Sequence, residues 1–457
     1  MNFNDADLII KYSHKISELT RLAEKNNNIE AGMYEKYDVK RGLRDKNGKG
    51  VLCGLTEISE VTAWKTENGE RTPVPGILCY RGYDVKDLVR HCVEENRFGF
   101  EETAFLLLFG KLPTATEIAD FNEMLAEFRQ LPKNFVRDVV MKSPSKDMMN
   151  MLERCVLNLY SYDPDPDNVS LSNVLRQSLQ LIAELPMIAA YSYRAYRYYN
   201  TDDGSLVIHK PVAEYSTAQN VLHVLRKDNA FTDLEAKVLD VCFTLHADHG
   251  GGNASTFTTH LATSTGTDTY SSMAASLGSL KGPKHGGANI KVMQMFENIK
   301  ENVKKPTKAR VYDYVEKILS GKAFDKSGLV YGMGHAVYTV SDPRAEVLKL
   351  YAGKLAIEKG REDEFNLYET VAAAASEIIC SQKNLDKPVS PNVDFYSGFV
   401  YSMLNLPEAL YTPIFAIARI AGWSAHRMEE LVSGGKIIRP AYECVQERRE
   451  YIPLDKR

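Results

Sequence analysis

Four segments punctuated by glycine or proline hold most of the side chains able to do chemistry. They are His-Ala-Asp-His-Gly-Gly-Gly-Asn at 246–253, Gly-Pro-Lys-His-Gly-Gly at 282–287, Gly-Met-Gly-His-Ala-Val-Tyr-Thr-Val-Ser-Asp-Pro-Arg at 332–344, and Asn-Val-Asp-Phe-Tyr-Ser-Gly at 392–398. His285 and His335 each adjoin a glycine, where backbone can approach a ligand closely and no bulky neighbour hems in the imidazole. Either alone is also what a structural, hydrogen-bonded histidine looks like. Together with Asp394 they compose an acid–base set.

Two arginines add an anion-binding theme. Ser341 or Asp342 can cap a helix that has Pro343 at its first position, which places Arg344 in the first turn. A cation there faces the positive end of the helix dipole and is unfavourable unless an anion compensates it. Arg419 lies inside the apolar run 414–421, where an unpaired buried cation would cost several kcal/mol. A carboxylate partner is required, from the protein as a structural ion pair or from a ligand. His246 and His249, three apart with Asp248 between them, have the spacing of a metal-ligand pair, but no neighbouring Cys or Glu completes a tetrahedral set, so no metal is expected. The segments 50–58 and 282–287 lack the spacing of a phosphate-binding loop.

These side chains need helices to hold them. Thr114 with Glu117, and Thr232 with Glu235, have capping-box spacing just ahead of apolar periodicity. Leu234, Val238, Leu239, Cys242 and Leu245 then mark a helix that carries His246 and ends near His249 at Gly250. Leu8, Ile9, Tyr12, Ile16 and Leu19 predict an N-terminal amphipathic helix, followed by a Lys/Arg/Gly-rich connector. Strand-like runs are limited to 51–64 and 77–80, separated by a turn-rich segment at 66–76 that contains Asn68-Gly69, Pro73 and Pro75. The tracts 201–205 and 383–390 read as surface loops. The expected fold is mainly α, with a minor β hairpin near the N-terminus.

Composition excludes several function classes. The 457 residues carry 56 Lys+Arg against 60 Asp+Glu, a net charge of −4, so there is no excess of basic charge for general nucleic-acid binding. A hydrophobic fraction of 44% and a charged fraction of 25% match a globular chain. The apolar stretches 181–193 and 411–423 are interrupted by Glu184 or Arg419 and fall short of the ~18 uninterrupted residues of a membrane span. The seven scattered cysteines contain no C-x-x-C pair and read as reduced thiols. Early acidic residues argue against an organelle presequence, and the chain is expected to act untrimmed in the cytoplasm.

In this order, the four segments closely resemble the citrate synthase family: the histidine of a Gly-Pro-x-His-Gly loop, a Gly-His-x-Val loop leading to Asp-Pro-Arg, then Asn-Val-Asp. The likeness extends from about Gly54 to Arg439-Pro440. It implies a large helical domain, 1–286 with 407–457, holding a small helical domain, 287–406, that closes over substrate. It also implies condensation of acetyl-CoA with oxaloacetate to citryl-CoA, then hydrolysis to citrate, with acetyl-CoA as co-substrate and no tightly bound cofactor.

By the same resemblance Asp394 is the base for the acetyl methyl group, His285 the donor to the thioester oxygen, and His335 the donor to the oxaloacetate keto oxygen. His249, Arg344, Arg419 and Arg439 form the oxaloacetate cradle, with Arg439 supplied across a homodimer interface. The loop 335–339 lacks the two cations of one prokaryotic form, His-Arg-Val-Tyr-Lys, which leaves Lys387 as the candidate coenzyme A contact or else as solvated surface. Gly250 stands where many relatives carry glutamate. 2-Methylcitrate synthase, acting on propionyl-CoA, is the near alternative. A noncatalytic sensor of coenzyme A or dicarboxylate is the alternative of a different class.

Overall fold

The computed structural model describes residues 5–45, 49–67, 70–201, 205–335, 337–383 and 388–457. Among them are seventeen α-helices and one three-stranded antiparallel sheet, the mainly α architecture that the sequence predicts. The predicted capping boxes close as drawn, Thr114 with Glu117 and Thr232 with Glu235, each hydroxyl taking the N3 backbone N–H while the glutamate returns to the cap. A third, Ser216 with Gln219, starts the helix Thr217–Leu225.

The chain forms two compact units, 1–53 with 439–457, and 54–438. In the first, the predicted amphipathic helix runs Asp5–Asn26, with Tyr12, Ile16 and Leu19 each about half exposed. In the second, the apolar runs that fell short of a membrane span become core helices. Every residue from Tyr411 to Met428 of the helix Tyr411–Val432 is buried, as expected of a helix that is apolar on all sides. No described helix is long and apolar enough to cross a membrane.

The sheet departs from the sequence reading. Strand β1 spans Ser59–Glu67, β2 Glu70–Tyr80 and β3 Tyr83–Asp84. β2 therefore runs straight through Pro73 and Pro75, which the sequence assigned to a turn; the Asn68-Gly69 pair lies outside the described residues. The physical reason is that β3 pairs only with Cys79 and Tyr80. Pro75 falls where the β1–β2 register shifts between Thr62 and Trp64, a bulge that asks no ladder N–H of it, and Pro73, opposite Trp64, has no strand on its other edge.

The helix Tyr411–Val432 crosses the turn at 246–249 with three residues of one face. Arg419 Nε donates to His246 O at 2.7 Å, Gly422 meets the turn's backbone, and His426 Nε2 lies 3.2 Å from Asp248 Oδ1. A Cβ on Gly422 would sit 2.4 Å from Ala247 O and 2.5 Å from Asp248 Oδ1. Gly422→Ala is therefore expected to destabilise the fold by ~1–3 kcal/mol, read as a lowered denaturation midpoint. An unchanged midpoint would show that the crossing tolerates a methyl group.

Candidate active site

The helix Asp233–His246 ends at its last histidine, and the chain turns through Asp248 to His249. Asp248 Oδ2 accepts the Gly250 N–H at 2.8 Å and also the Ser59 hydroxyl. Burial opposes its ionisation, but His426, Arg419 and Ser59 outweigh that and hold the carboxyl well below its ordinary range. Tyr80, from β2, places its hydroxyl 3.1 Å from the carbonyls of both Thr244 and Asp248. Gly250 takes φ +83°, and a Cβ there would stand 3.0 Å from Val61 Cγ2. A side chain at this position would be strained.

The two histidines of this turn separate. His246 bonds Tyr401 Oη at 3.0 Å and stacks on Phe415, whereas His249 Nε2 bonds Tyr338 Oη at 3.1 Å. They face different partners, so the metal-pair spacing is not used by this pair. Burial, then Arg344, His335, Arg419 and His285, hold His249 well below the usual imidazole range. It is a neutral ring among cations.

His285 sits on a tight turn after the helix Thr269–Lys281. Gly286 N donates to Leu280 O at 2.9 Å, and Gly286 O accepts the Thr412 hydroxyl at 3.0 Å. His285 Nε2 lies 3.0 Å from Ser255 Oγ, which fixes the ring's orientation. Burial, then the charge of Arg419, brings the imidazole down to about 4.

His335 and Asp394 come together because their loops pair edge to edge. Gly334 N donates to Ser390 O, Asn392 N to Gly332 O and Asn392 Nδ2 to Gly334 O, each at 2.8 Å. Gly332 takes φ +81° with Phe395 Cα only 2.9 Å from where a Cβ would be, so this close approach requires glycine. His335 Nδ1 accepts from Val337 N at 3.0 Å and Tyr338 N at 3.2 Å. That bonding places the ring proton on Nε2. The His335 and Tyr338 rings stack at 4.7 Å, and the His249 and His335 ring centroids are 5.2 Å apart.

Asp342 caps the helix Pro343–Lys359, as the sequence allowed. It also supplies the anion that Arg344 needs, holding Nε at 3.0 Å and Nη2 at 2.8 Å. The compensation inferred for Arg344 thus comes from the protein, and the guanidinium is a buried, fixed donor. Arg419 differs. Its Nη1 is buried with no hydrogen-bond partner, although Asp248 and Asp394 lie within electrostatic reach. Burial pushes the Asp394 carboxyl up to about 6, with Asp342 adding to the rise and Arg344 and Arg419 opposing it.

His249, His285, His335, Arg344, Arg419 and Asp394 therefore act on one another in a single locus. Lys387 lies outside the described residues, and Arg439 is exposed in the unit 1–53 with 439–457. Sequence reasoning missed Tyr338, Ser255 and the pairing role of Asn392. Only Asn392 carried a signal, as the cap residue one position ahead of the helix Val393–Met403.

An α-helical scaffold that sets one carboxylate, three imidazoles and two buried guanidiniums around one locus defines an enzyme handling an anionic substrate by acid–base chemistry. A profile of the citrate synthase C-terminal domain matches residues 44–441, and the chain belongs to the citrate synthase family. It is 35% identical over 410 residues to a citrate synthase of Synechocystis, covering 88% of this chain and 93% of that protein. It is 31% identical over 425 residues to a 2-methylcitrate synthase of Corynebacterium glutamicum, covering 92% and 98%. Among solved structures, the citrate synthase of Thermoplasma acidophilum in ternary complex with carboxymethyl coenzyme A and oxaloacetate superposes with TM-score 0.74 at 25% identity, covering 92% of this chain and 99% of that one.

Asn392 both caps the helix and ties the two loops together. Asn392→Ala is expected to cost ~1–2 kcal/mol of stability, measured by denaturant unfolding. A change within about ±0.5 kcal/mol, the size of a neutral surface substitution, would remove this residue from the architecture.

Proposed function

We propose that this protein is a citrate synthase that condenses acetyl-CoA with oxaloacetate, with Asp394, His285 and His335 as its catalytic residues. The ionised Asp394 carboxylate takes a proton from the acetyl methyl group, a weak carbon acid that needs a positioned base. His285 donates a hydrogen bond to the thioester oxygen as the enol forms. The enol carbon attacks the keto carbon of oxaloacetate, the developing alkoxide accepts a hydrogen bond from His335 Nε2–H, and the proton that Asp394 took from the methyl group is passed on to that oxygen, so both side chains end as they began. Water then hydrolyses citryl-CoA to citrate and coenzyme A.

The observation that carries this reading is the pairing of the His335 and Asp394 loops beside two buried guanidiniums, one of which has an unpartnered nitrogen. Oxaloacetate brings two carboxylates, and Arg419 Nη1 offers a donor with no internal acceptor. Arg344, already held by Asp342, offers its remaining face. Neutral His249 can donate or accept between them. We also assign residues 287–406 to a small domain that closes over oxaloacetate, and Arg439 to the cradle of the partner subunit in a homodimer. Lys387 remains the proposed coenzyme A contact.

The acyl group in this proposal is acetyl, supported by the higher identity to a citrate synthase. Propionyl-CoA differs by one methylene, and pocket discrimination at that level is only ~1–3 kcal/mol. Purified protein with oxaloacetate and each acyl-CoA in parallel, followed by thiol release and product mass, tests the choice. Faster acetyl-CoA turnover to citrate is expected. A preference for propionyl-CoA would move the activity to 2-methylcitrate synthesis, and no turnover with retained ligand binding would favour the sensor.

Asp394→Asn is expected to lower kcat by ~10²–10⁴-fold while oxaloacetate still binds, because the carboxylate acts on the other substrate. Undiminished turnover would remove Asp394 from the mechanism. The pH profile has a fixed sign. The base works ionised and its carboxyl sits at about 6, so kcat/KM should fall about tenfold per unit as pH drops below that value. His285, at about 4, stays neutral over most of this limb. A profile flat down to pH 5 would contradict the assignment.

A further inference from the structure

We propose a divalent metal site, of the class that takes Zn2+, formed by His260, His426 and Glu429. It is separate from the side chains assigned to the condensation. His426 and Glu429 are three residues apart on the helix Tyr411–Val432, so they share a face, and His260 comes from the helix Ala254–Ser264. Their ligand-capable atoms all lie within 4.8 Å of one another, the one such group among the described residues.

Carboxylates stand behind both rings. His260 Nδ1 lies 2.9 Å from Glu430 Oε2, and His426 Nε2 lies 3.2 Å from Asp248 Oδ1. The Glu430 oxygen is hydrogen-bonded to His260 Nδ1, whereas His426 Nε2 and Asp248 Oδ1 are buried without a hydrogen-bond partner. His260 Nε2 and His426 Nδ1 face each other at 3.1 Å. Glu429 Oε2 stands 3.8 Å from His426 Nδ1 and is buried with no hydrogen-bond partner, while its Oε1 accepts the Glu57 N–H at 2.7 Å. Two ring nitrogens and a buried, unpartnered carboxylate oxygen thus converge.

A cation reconciles them. Two imidazole nitrogens at ~2.0–2.1 Å from one tetrahedral Zn2+ stand roughly 3.3 Å apart, so the observed pair needs only a small adjustment. Two imidazoles and a carboxylate suit zinc, with water as the fourth ligand. Glu430, hydrogen-bonded to His260, and Asp248, beside His426, sit behind the rings where carboxylates orient metal-bound histidines. His260 and Glu429 side chains are 12% and 15% exposed, which leaves a path for the ion. The other occupant that would reconcile them is a proton shared between the two rings.

The test uses the untagged full-length protein, with exposed Cys53 and Cys444 alkylated, stripped with chelator and titrated with Zn2+ alone. About one Zn2+ per chain should be retained after desalting, with a zinc-dependent rise in Tm. His260→Gln and Glu429→Gln should abolish retention, and Glu430→Gln should weaken affinity by ~10–100-fold. His209→Gln, from the separate His209–His223 pair, should leave it unchanged. Wild-type protein that retains no zinc and shows no Tm rise would assign the gap to a proton and overturn the proposal. So would zinc retained equally by His260→Gln. The wild-type readout decides the matter even where a variant fails to fold.

Discussion

Arg419 is a permanent positive charge in the middle of a helix buried from Tyr411 to Met428, and the architecture of the site follows from accommodating it. Burial lowers its guanidinium pKa, with Asp248 and Asp394 opposing. The helix can sit this deep only because Gly422, one turn on, presents no side chain to the 246–249 turn. That crossing gives Arg419 the His246 carbonyl and brings Asp248 within electrostatic reach. It leaves Nη1 without an internal acceptor. A buried donor left unmade is costly, so the site favours an anionic ligand before any substrate is considered.

The same charge sets the electrostatics around it. His285, His249 and His246 are all depressed by burial first, with Arg419 or Arg344 adding to the effect. Neutral imidazoles can donate hydrogen bonds to developing oxyanions without carrying a charge that would need its own counterion. Asp394 feels both arginines, yet burial dominates and places its carboxyl at about 6, in the range where a base is ionised near neutrality and still able to take a proton. His426 and Glu429 lie further along the same helix, with His260 facing them from the helix Ala254–Ser264, and Asp248 links them to this network.

Much of the fold was legible in the sequence because its signals are local. Capping boxes, apolar periodicity and Pro343 after Asp342 each depend on a few neighbouring residues. The strand β2 was misjudged at Pro73 and Pro75 for the opposite reason: proline's cost in a sheet depends on whether a neighbour strand needs its N–H, which is a tertiary fact. His285, His335, Asp394, Arg344, Arg419 and His249 could be singled out by residue type and context.

The sequence by itself determined the chemistry available: which side chains can titrate, which carry fixed charge, and which glycines and prolines permit close turns. The tertiary structure decided who meets whom. It turned Asp342 from a helix cap into the partner of Arg344 and sent His246 and His249 to different tyrosines. It placed the proton of His335 on Nε2 through two backbone N–H groups and faced His260 toward His426 across 166 residues of chain. Proton positions and pairings depend on distances of a few ångströms between elements remote in sequence, and no local pattern encodes those.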